Sequence, residues 1–394
     1  MELAEFVRVH EGDELGKLAL ARSRYVAEVE DFDLALTTLE VRRKLRDKVP
    51  EWYAVPGLRY PFRVSGEQCS SSETARYKAT VALDAVGVSG GCLADLTGGL
   101  GVDSWAFAQV FERVLYNEMC PELADAARYN YAALGLDNVT VTCAELVPER
   151  LQVILGNFRP DILFLDPARR ASDGRKVFRL EDCQPDVLQL LPELLAACPL
   201  VLLKLSPMAD ITLVCKQLGC VKAVHVVAAG GECKELLLLL DRDYIGPHVL
   251  TVYSNGVVAD ISDFSGETPD QASPAWLFDP GKALLKAGAF SWPCRFGLQK
   301  LGRHTHAYVS AVPVEALRPF GKWYQILEVV PFNNRSVKEL GKNYPRAEVT
   351  ARNLPLTSDQ LRAKLGVKSG GSVHIFGLHA DQPSANLLVV CAGQ

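Results

Sequence analysis

The chain has 394 residues, of which 48% are hydrophobic and 23% charged. This length exceeds what one hydrophobic core usually supports, so two or three domains are expected, and the composition argues against intrinsic disorder. No apolar run approaches the length of a membrane span, no apolar N-terminal signal is present, and the 11 cysteines form no C-x-x-C pair. The sequence therefore predicts a cytoplasmic protein with reduced thiols, no membrane segment and no metal site.

Residues 1 to 65 are predicted to form an N-terminal helical region. Apolar residues recur at helical spacing in the segments 18–23 and 33–45, and Pro50, Pro56 and Pro61 interrupt this pattern.

The next segment, Glu67 to Lys78, carries a helix-start signal. Ser70 and Glu73 have the spacing of a capping box, which predicts a helix whose first amide groups form an anion site. A plain helix cap without a ligand fits the same spacing equally well.

The most informative segment is a short apolar strand that runs directly into a glycine-rich turn, C-L-A-D-L-T-G-G-L-G-V-D over residues 92 to 103. Asp95 closes the strand, and a helix is predicted to begin near Asp103. The three glycines of the turn allow a tight bend and close approach of a ligand; they are Gly98, Gly99 and Gly101. The dinucleotide fingerprint would need another glycine where Ser104 stands, so a nicotinamide oxidoreductase is disfavoured.

Three further predicted strands each end in an acidic residue. Glu118 closes a strand that begins at Arg113, about twenty residues after the turn, where doubly wound folds place the carboxylate that binds ribose hydroxyls. Glu145 and Asp166 close the third and fourth strands. One acid alone is more commonly a helix cap or a solvated loop end, but the ordered series together with the glycine turn favours a nucleotide-like ligand.

Three more apolar runs, 200–205, 223–228 and 235–241, complete the pattern of a doubly wound parallel sheet over residues 66 to 245. Residues 246 to 274 are predicted to be a linker region, rich in Gly, Ser, Pro and Asp from residue 265 onward. Residues 275 to 394 are predicted to form a small α+β domain.

Charge is distributed unevenly between these regions. Residues 275 to 394 hold 15 Lys+Arg and 7 Asp+Glu, a net charge of +8. Because the formal net charge of the whole chain is −5, residues 1 to 274 carry −13. Basic residues alternate there with aromatic ones, a composition suited to phosphate contacts and base stacking, although a solvated basic surface remains the alternative. The aromatic residues are Trp323, Tyr324, Phe332 and Tyr344, and the basic ones include Lys300, Arg303, Arg318, Lys322, Arg335, Lys338, Lys342, Arg346, Arg352, Arg362, Lys364 and Lys368.

The order D-x-x-G-G-x-G-x-D resembles the first motif of class I S-adenosylmethionine (SAM) methyltransferases. With E-Q-C-S-S-x-x-T-A-x-Y-K before it, D-P-A-R-R after the fourth strand and R-N-L-P in the basic domain, the whole chain resembles the bacterial THUMP-like-domain family of class I methyltransferases. The resemblance implies an α/β fold with a Rossmann-like seven-stranded sheet between an N-terminal helical region and a C-terminal α+β THUMP-like domain. It also implies SAM as cofactor and an RNA-related role for the tail, with transfer or ribosomal RNA as partner.

The resemblance implies a role for each part of the cofactor site. The strand-end acid and the glycine turn would hold the amino-acid part of SAM, Glu118 the ribose and Glu145 the adenine amino group, while the helix start at Ser70 could receive the SAM carboxylate. The predicted cofactor residues are Ser70, Thr74, Asp95, Thr97, Gly98, Gly99, Gly101, Asp103, Glu118, Met119, Glu145 and Asp166.

The fourth strand is followed by D-P-A-R, which differs from the D/N-P-P-Y/F/W of amino-methyltransferases. Asp166 can still orient or deprotonate a nucleophile, and Arg169, in the place of the aromatic, offers a planar fork of donors. The segment also resembles the D-P-P-R of uracil C5-methyltransferases, but Leu205 stands where their nucleophilic cysteine would be, so a covalent route is disfavoured. The predicted catalytic residues are Asp166, Pro167, Arg169 and Lys204.

These features predict a SAM-dependent methyltransferase acting on RNA, with chemistry near Asp166 and the substrate presented by the basic domain. Two alternatives stay open. A small-molecule methyltransferase would use the tail as a lid or dimer surface, and a non-catalytic SAM-binding protein is left open by Arg169 in place of an aromatic residue. The methylated atom, the RNA and the oligomeric state are not determined by the sequence.

Overall fold

A computed structural model describes residues 1–87, 90–169, 179–262 and 274–392, with only the backbone of Arg169. The chain forms two compact units. The first contains residues 1–225 and 235–249, and the second contains residues 226–234 and 250–394. Among the described residues, none of the helices has both the length and the apolar character needed to cross a bilayer.

The first unit begins with seven helices: α1 Leu3–His10, α2 Leu15–Leu20, α3 Arg22–Tyr25, α4 Phe32–Lys48, α5 Pro50–Tyr53, α6 Arg63–Gln68 and α7 Ser72–Val86. Phe6, Val7, Leu18, Phe32 and Leu39 form a buried cluster between the first four. Helices therefore fill this region as predicted. Proline at position 50 does not end the helical region, because it occupies the first turn of α5, where its missing N–H is not needed.

Helix α7 begins one residue later than the capping-box spacing predicted. Ser71, not Ser70, is the N-cap, and its hydroxyl accepts from the amide of Thr74 at 3.2 Å. Ser70 instead donates its hydroxyl to Asp103 Oδ2 at 2.9 Å. The predicted cap was therefore wrong by one position, and Ser70 is left available for the site described below.

Strands and helices then alternate: β1 Cys92–Asp95, α8 Val102–Ala108, β2 Arg113–Glu118, α9 Pro121–Ala133, β3 Val139–Cys143, α10 Leu151–Leu155, β4 Ile162–Leu165, β5 Ala168–Arg169, β6 Cys183–Gln184, α11 Val187–Ala197, β7 Leu200–Leu205, α12 Ile211–Leu218, β8 Val221–Ala229 and β9 Glu232–Asp241. Among the described residues the sheet has nine strands, and seven of them follow the order β3-β2-β1-β4-β7-β9-β8. Strands β1, β2, β3, β4 and β7 are parallel, so their carboxyl ends meet at one edge.

This arrangement confirms the predicted Rossmann-like sheet with two corrections. The described sheet has nine strands, whereas seven were predicted. Strand β9 runs antiparallel to β7, with Leu200 opposite Asp241, whereas an all-parallel sheet was predicted. The reason is the connection, because Gly230 and Gly231 alone separate β8 from β9, and so short a link permits a hairpin but no crossover helix.

The second unit contains β10 Val249–Ser254, β11 Val257–Ile261, β12 Trp276–Pro280, α13 Lys282–Lys286, β13 Gln299–Lys300, β14 Tyr308–Ser310, β15 Gly321–Pro331, α14 Asn334–Asn343, β16 Glu348–Arg352, α15 Ser358–Leu365, β17 Val373–Asp381 and β18 Ser384–Ala392. Seven of these strands form a sheet in the order β13-β14-β12-β15-β18-β17-β16. Helices α14 and α15 cover it through Val337, Leu340, Leu361 and Leu365. The predicted α+β composition of this part is confirmed. The predicted linker of residues 246–274 was wrong in part, because β10 and β11 form an antiparallel pair within it.

The predicted base-stacking role was wrong for two of the aromatic residues in this unit. Trp323 and Tyr324 are only 6% and 5% exposed, and Tyr324 packs edge-to-face on Phe376. These two rings are too buried to meet a nucleic-acid base, so their hydrophobic area stabilises the fold. Phe332 and Tyr344 are partly buried beside the two helices, and their role stays a prediction.

Candidate cofactor and active site

A cavity of about 590 Å³ lies in the first unit at the carboxyl ends of the parallel strands, where ligands of doubly wound folds bind. The glycine turn after β1, the ends of β2 and β4 and the start of α8 all contribute to it. The predicted residues that line it are Ser70, Thr97, Gly98, Gly99, Gly101, Asp103, Glu118, Met119, Glu145, Asp166 and Lys204. Most of the predicted site thus converges on one cavity.

Three predicted residues of the described part do not line the cavity, and a fourth cannot be placed. Thr74 and Asp95 are buried, and neither they nor Pro167 line the cavity. The side chain of Arg169 lies outside the described residues. The role predicted for each of these four stays a prediction.

Two glycines of the turn serve different purposes. A Cβ added to Gly98 would overlap the ring of Tyr116, so this position is closed by packing. Gly99 lines the cavity with φ of +55°, and a Cβ there would meet no atom within 4 Å. Gly99 therefore leaves space that a ligand can use, and its left-handed conformation also favours glycine.

Two tyrosines that the sequence analysis did not identify hold the turn in place. The hydroxyl of Tyr131, in α9, donates to the carbonyl of Gly101 at 3.0 Å, and Tyr116, in β2, contacts the same turn. The two rings pack edge-to-face with centroids 5.7 Å apart. Burial raises the pKa of both hydroxyls well above the usual range, so both remain donors.

Glu118 binds the turn as well as facing the cavity. Its carboxylate accepts from the amides of Gly99 and Cys120, each at 2.9 Å. The preceding Asn117 donates to the carbonyls of Leu96 and Ala144 at 3.2 and 3.0 Å and so joins the ends of β1 and β3. These bonds fix the Glu118 carboxylate at the cavity edge.

Asp95 lies beneath the turn, only 1% exposed. Ser104 donates to its carboxylate at 2.6 Å, and the backbone amide of Thr97 donates to the same carboxylate at 3.1 Å. Burial raises the pKa of Asp95 to about 7, although these hydrogen bonds oppose the shift. Its contacts therefore join the turn to α8, and they leave it buried below the cavity surface.

Asp103, in the first turn of α8, lines the cavity with a side chain that is 11% exposed. Its Oδ2 accepts from Ser70 at 2.9 Å. Its Oδ1 is buried, has no hydrogen-bond partner of good geometry among the described residues, and lies 3.2 Å from the ammonium of Lys78. The Lys78 cation therefore balances the charge of this carboxylate.

Asp166 and Lys204 form an ion pair on adjacent strands. Lys204, in β7, donates to Asp166 Oδ2 at 2.6 Å, and the amide of Asp166 donates to the hydroxyl of Thr97 at 2.6 Å. Burial would lower the pKa of Lys204, but the charges of Asp166 and Glu235 outweigh it and hold the pKa above the usual range. Lys204 therefore stays a cation beside Asp166.

The structure adds lining residues that the sequence analysis missed. Ser65, Gln68 and Cys69 come from α6 and the residue after it, and Gln184, Asp186 and Gln189 come from the region around the start of α11. The segment E-Q-C-S was noted in the sequence, but its place beside the cavity depends on how α6 packs. Burial raises the pKa of Cys69, which disfavours the thiolate that a covalent mechanism would need.

The cavity fits SAM on the chemistry of its donors and acceptors. It offers the Asp103 carboxylate for an ammonium group, the Glu118 carboxylate for ribose hydroxyls, and unfilled space at Gly99. When bound, SAM would supply an electrophilic methyl group.

Comparisons with known proteins concern the second unit and the chain as a whole. Residues 276–317 match a ferredoxin-like domain, and residues 321–392 match the THUMP domain-like family. A crystal structure from Porphyromonas gingivalis W83, described as a candidate methyltransferase, has a TM-score of 0.83 and 29% identity over 99% of this chain and 97% of that one.

Two relatives match the sequence of this chain to different extents. An uncharacterized SAM-dependent methyltransferase of Mycobacterium tuberculosis (strain CDC 1551 / Oshkosh) is 26% identical over 77% of this chain and 79% of its own length. A tRNA/tmRNA (uracil-C(5))-methyltransferase of Yersinia pestis (strain Pestoides F) is 29% identical over 43% of this chain, and the match spans 51% of that relative. The chain is thus similar to SAM-dependent methyltransferases and carries a C-terminal segment that matches the THUMP domain-like family.

Proposed function

We propose that the chain methylates RNA, with the nucleophile bound at Asp166 and the RNA held by basic residues of the second unit. The observation that carries the catalytic part is the Asp166–Lys204 pair, 2.6 Å apart, in the same cavity as the glycine turn. A carboxylate held in this way can orient an N–H or O–H of a substrate and take up its proton.

The geometry supports a distinct role for each member of the pair. Lys204 engages Asp166 Oδ2, and no described residue hydrogen-bonds to Oδ1. The free oxygen can accept from the substrate, while Lys204 keeps the carboxylate oriented and balances its charge. We propose Lys204 as a positioning residue and Asp166 as the residue that touches substrate.

For the cofactor, we propose that Glu118 binds the ribose hydroxyls and Glu145 the adenine amino group, as the resemblance implies. Asp103 replaces Asp95 as the proposed partner of the cofactor's ammonium, because Asp103 lines the cavity whereas Asp95 is buried beneath it. Ser70 is proposed to contact the same amino-acid group.

Support for RNA as the substrate comes from the charge of the second unit and from a relative that is a tRNA/tmRNA methyltransferase. That relative's uracil chemistry does not transfer to this chain, because buried Leu205 offers no thiol. Within the basic set, Arg352 binds Asp279 at 2.5 Å and Arg362 binds Asp359 at 2.7 Å. Exposed residues without such a recorded acidic partner, Lys338, Lys342, Arg346 and Lys368, are better candidates for phosphate contacts.

One observation favours a small-molecule substrate as the second candidate. The described lining includes five acids and a single base, Lys204, so its charge would repel a phosphate backbone. The acids are Asp103, Glu118, Glu145, Asp166 and Asp186. An RNA substrate would then have to insert only a base, with its phosphates held elsewhere.

The deciding experiment is mass spectrometry of modified nucleosides in total RNA from cells with and without the gene. We expect one methylated nucleoside to disappear from the deletion strain and to return with the wild-type gene but not with Asp166→Asn. Identical nucleoside profiles in both strains would contradict an RNA substrate and favour the small-molecule candidate.

A further inference from the structure

Behind the cavity wall, two lysines share one buried glutamate. Glu235, in β9, is only 3% exposed, and its two carboxylate oxygens contact different cations. Lys78 Nζ lies 2.7 Å from Oε1, and Lys204 Nζ lies 3.8 Å from Oε2. Lys204 in turn donates to Asp166 at 2.6 Å. Glu235 therefore lies next to the proposed catalytic pair, although neither it nor Lys78 lines the cavity.

Lys204 is attracted by two carboxylates at once. The register of β7 and β9 pairs Lys204 with Leu237, so Glu235, two residues before Leu237, is a diagonal neighbour on the same face of the sheet. Burial would lower the pKa of Lys204, but the charges of Asp166 and Glu235 hold it above the usual range. The cation that orients Asp166 is thus divided between that residue and Glu235.

Lys78 limits how strongly Glu235 attracts Lys204. It is fully buried, and its ammonium donates to Glu235 at 2.7 Å and to the hydroxyl of Ser70 at 3.0 Å. The carboxylate of Asp103 lies 3.2 Å from the same ammonium. Because Lys78 makes the shorter of the two cation contacts of Glu235, it neutralises part of the charge that would otherwise act on Lys204.

The other charged groups around Asp166 are mostly acidic. Asp95 lies buried beneath the turn after β1, and its charge and that of Asp166 repel each other. Among the described lining residues Lys204 is the one base, so its attraction offsets these repulsions. The side chain of Arg169 lies outside the described residues. The other acids that line the cavity are Asp103, Glu118, Glu145 and Asp186.

We propose that Glu235 is a positioning residue that competes with Asp166 for the Lys204 cation and so sets how readily Asp166 takes up a proton from the substrate. This inference rests on the proposed catalytic role of Asp166. While Glu235 shares the cation, Lys204 neutralises Asp166 less completely, and that carboxylate attracts a proton more strongly. Lys78 acts on the same balance in the opposite direction, because it weakens the competitor.

The test is the pH dependence of methyl transfer from labelled SAM, at saturating SAM, to total RNA from cells that lack the gene. In Glu235→Gln, Lys204 is left to Asp166 alone, so the rise in rate on the acid side of the profile should move about one unit to lower pH. In Lys78→Met, Glu235 is free to attract Lys204, so the same rise should move to higher pH. The double variant should return toward the wild-type profile.

Opposite shifts separate positioning from a structural role, because damage to the fold would lower the rate in both variants without moving their profiles apart. Shifts in the same direction, profiles equal to that of the wild type, or a wild-type rate that does not fall at low pH would each overturn the proposal. The matched control is Asp241→Asn on the same strand, where Asp241 binds Lys222 at 2.9 Å outside the cavity. This control should leave the profile unchanged.

Removing one partner of a buried pair is destabilising, so unfolding midpoints and SAM dissociation constants accompany every profile. Should Glu235→Gln fail to fold, Glu235→Asp keeps the charge but withdraws it from Lys204, and a smaller shift to lower pH is expected.

Two further outcomes distinguish this inference from the proposed function. A wild-type protein that transfers no methyl group to this RNA, or wild-type rates in Asp166→Asn, would overturn the proposed function and this inference together. A large loss of rate in Asp166→Asn with an unshifted profile in Glu235→Gln would overturn this inference alone.

Discussion

The hydroxyl of Tyr116 donates a hydrogen bond to the carbonyl of Gly99 at 2.6 Å. This bond connects the second strand of the sheet to the position in the glycine turn where a Cβ would find open space. The conformation of the turn is therefore maintained by a residue outside the glycine motif, and this support can be tested separately from the glycine itself.

Tyr116→Phe should weaken SAM binding several-fold and lower the free energy of unfolding by about 1 kcal/mol, because one buried hydrogen bond is lost. Calorimetry and thermal unfolding measure the two effects. Tyr308→Phe is the matched control, since the Tyr308 hydroxyl binds the carbonyl of Phe290 at 2.8 Å in the second unit. It should lose similar stability without any change in SAM affinity, and equal losses of affinity in both variants would refute the support role.

Gly99→Asn should abolish SAM binding while the protein remains folded. Asparagine tolerates a left-handed backbone better than most residues, so the main change is a side chain in space that the ligand needs. Gly135→Asn is a close control, because Gly135 has φ of +75° and also has no atom within 4 Å of an added Cβ. Unchanged SAM affinity in Gly99→Asn, measured by calorimetry, would sink the assignment of this turn to the cofactor.

Asp166→Asn should remove most turnover and change SAM affinity little. The amide keeps the shape of the side chain but cannot take up a proton, and general-base assistance contributes on the order of a hundredfold to ten-thousandfold. The measurement is transfer of a labelled methyl group to total RNA from cells that lack the gene. Wild-type rates in this variant would place the catalytic role elsewhere, and Asp241→Asn serves as the control.

The stability of the fold should depend on pH through Asp95. Its folded-state pKa of about 7 means that the folded chain keeps a proton that the unfolded chain releases near pH ~4. The resulting stabilisation is complete below ~4 and is lost as the pH rises toward 7. Between pH 5 and pH 8, the free energy of unfolding of Asp95→Asn should therefore fall by about 1 to 3 kcal/mol less than that of the wild type. Denaturant unfolding at both pH values measures this, and parallel behaviour of the two proteins would contradict it.

Arginines of the second unit should divide into phosphate-binding and structural ones. Arg346→Gln should weaken RNA binding across sequences and lower the salt slope of the full chain by about one unit. Arg352→Gln should instead destabilise the fold, because it leaves Asp279 buried without its partner. Fluorescence anisotropy with labelled transfer RNA at several salt concentrations measures the slopes. An unchanged slope for Arg346→Gln would remove that residue from the interface.

Local patterns in the sequence predicted the elements well wherever an apolar run has clear limits. The second and fifth predicted strands, Arg113–Glu118 and Leu200–Leu205, are found with the same bounds. The sequence did not predict helix α14, although Asn333 caps it, because only Val337 and Leu340 supply apolar residues to its buried face. Burial of Trp323 was likewise not predictable, since an aromatic residue between basic ones fits both a core and a nucleic-acid surface.

In the cavity, too, only part of the arrangement could be predicted from the sequence. The glycine turn and the acids at strand ends could be predicted because each lies at a fixed place in a repeated strand–helix pattern. The Lys78–Glu235 pair joins residues 157 positions apart, and the sequence has no local signal for it. Tyr116 and Tyr131 are similar, because only the packed structure shows that their hydroxyls reach the turn.

Helix α6 gives the cavity one of its walls through Ser65 and Gln68, and Gly66 of the same helix packs so closely on Val41 of α4 that an added Cβ would need Val41 to move. How fast a bound ligand escapes should therefore depend on how firmly α6 holds to α4. Substitutions at Val41 would then alter residence time more than equilibrium affinity. The N-terminal helices would in this way determine the kinetics of a site whose chemistry lies on the sheet.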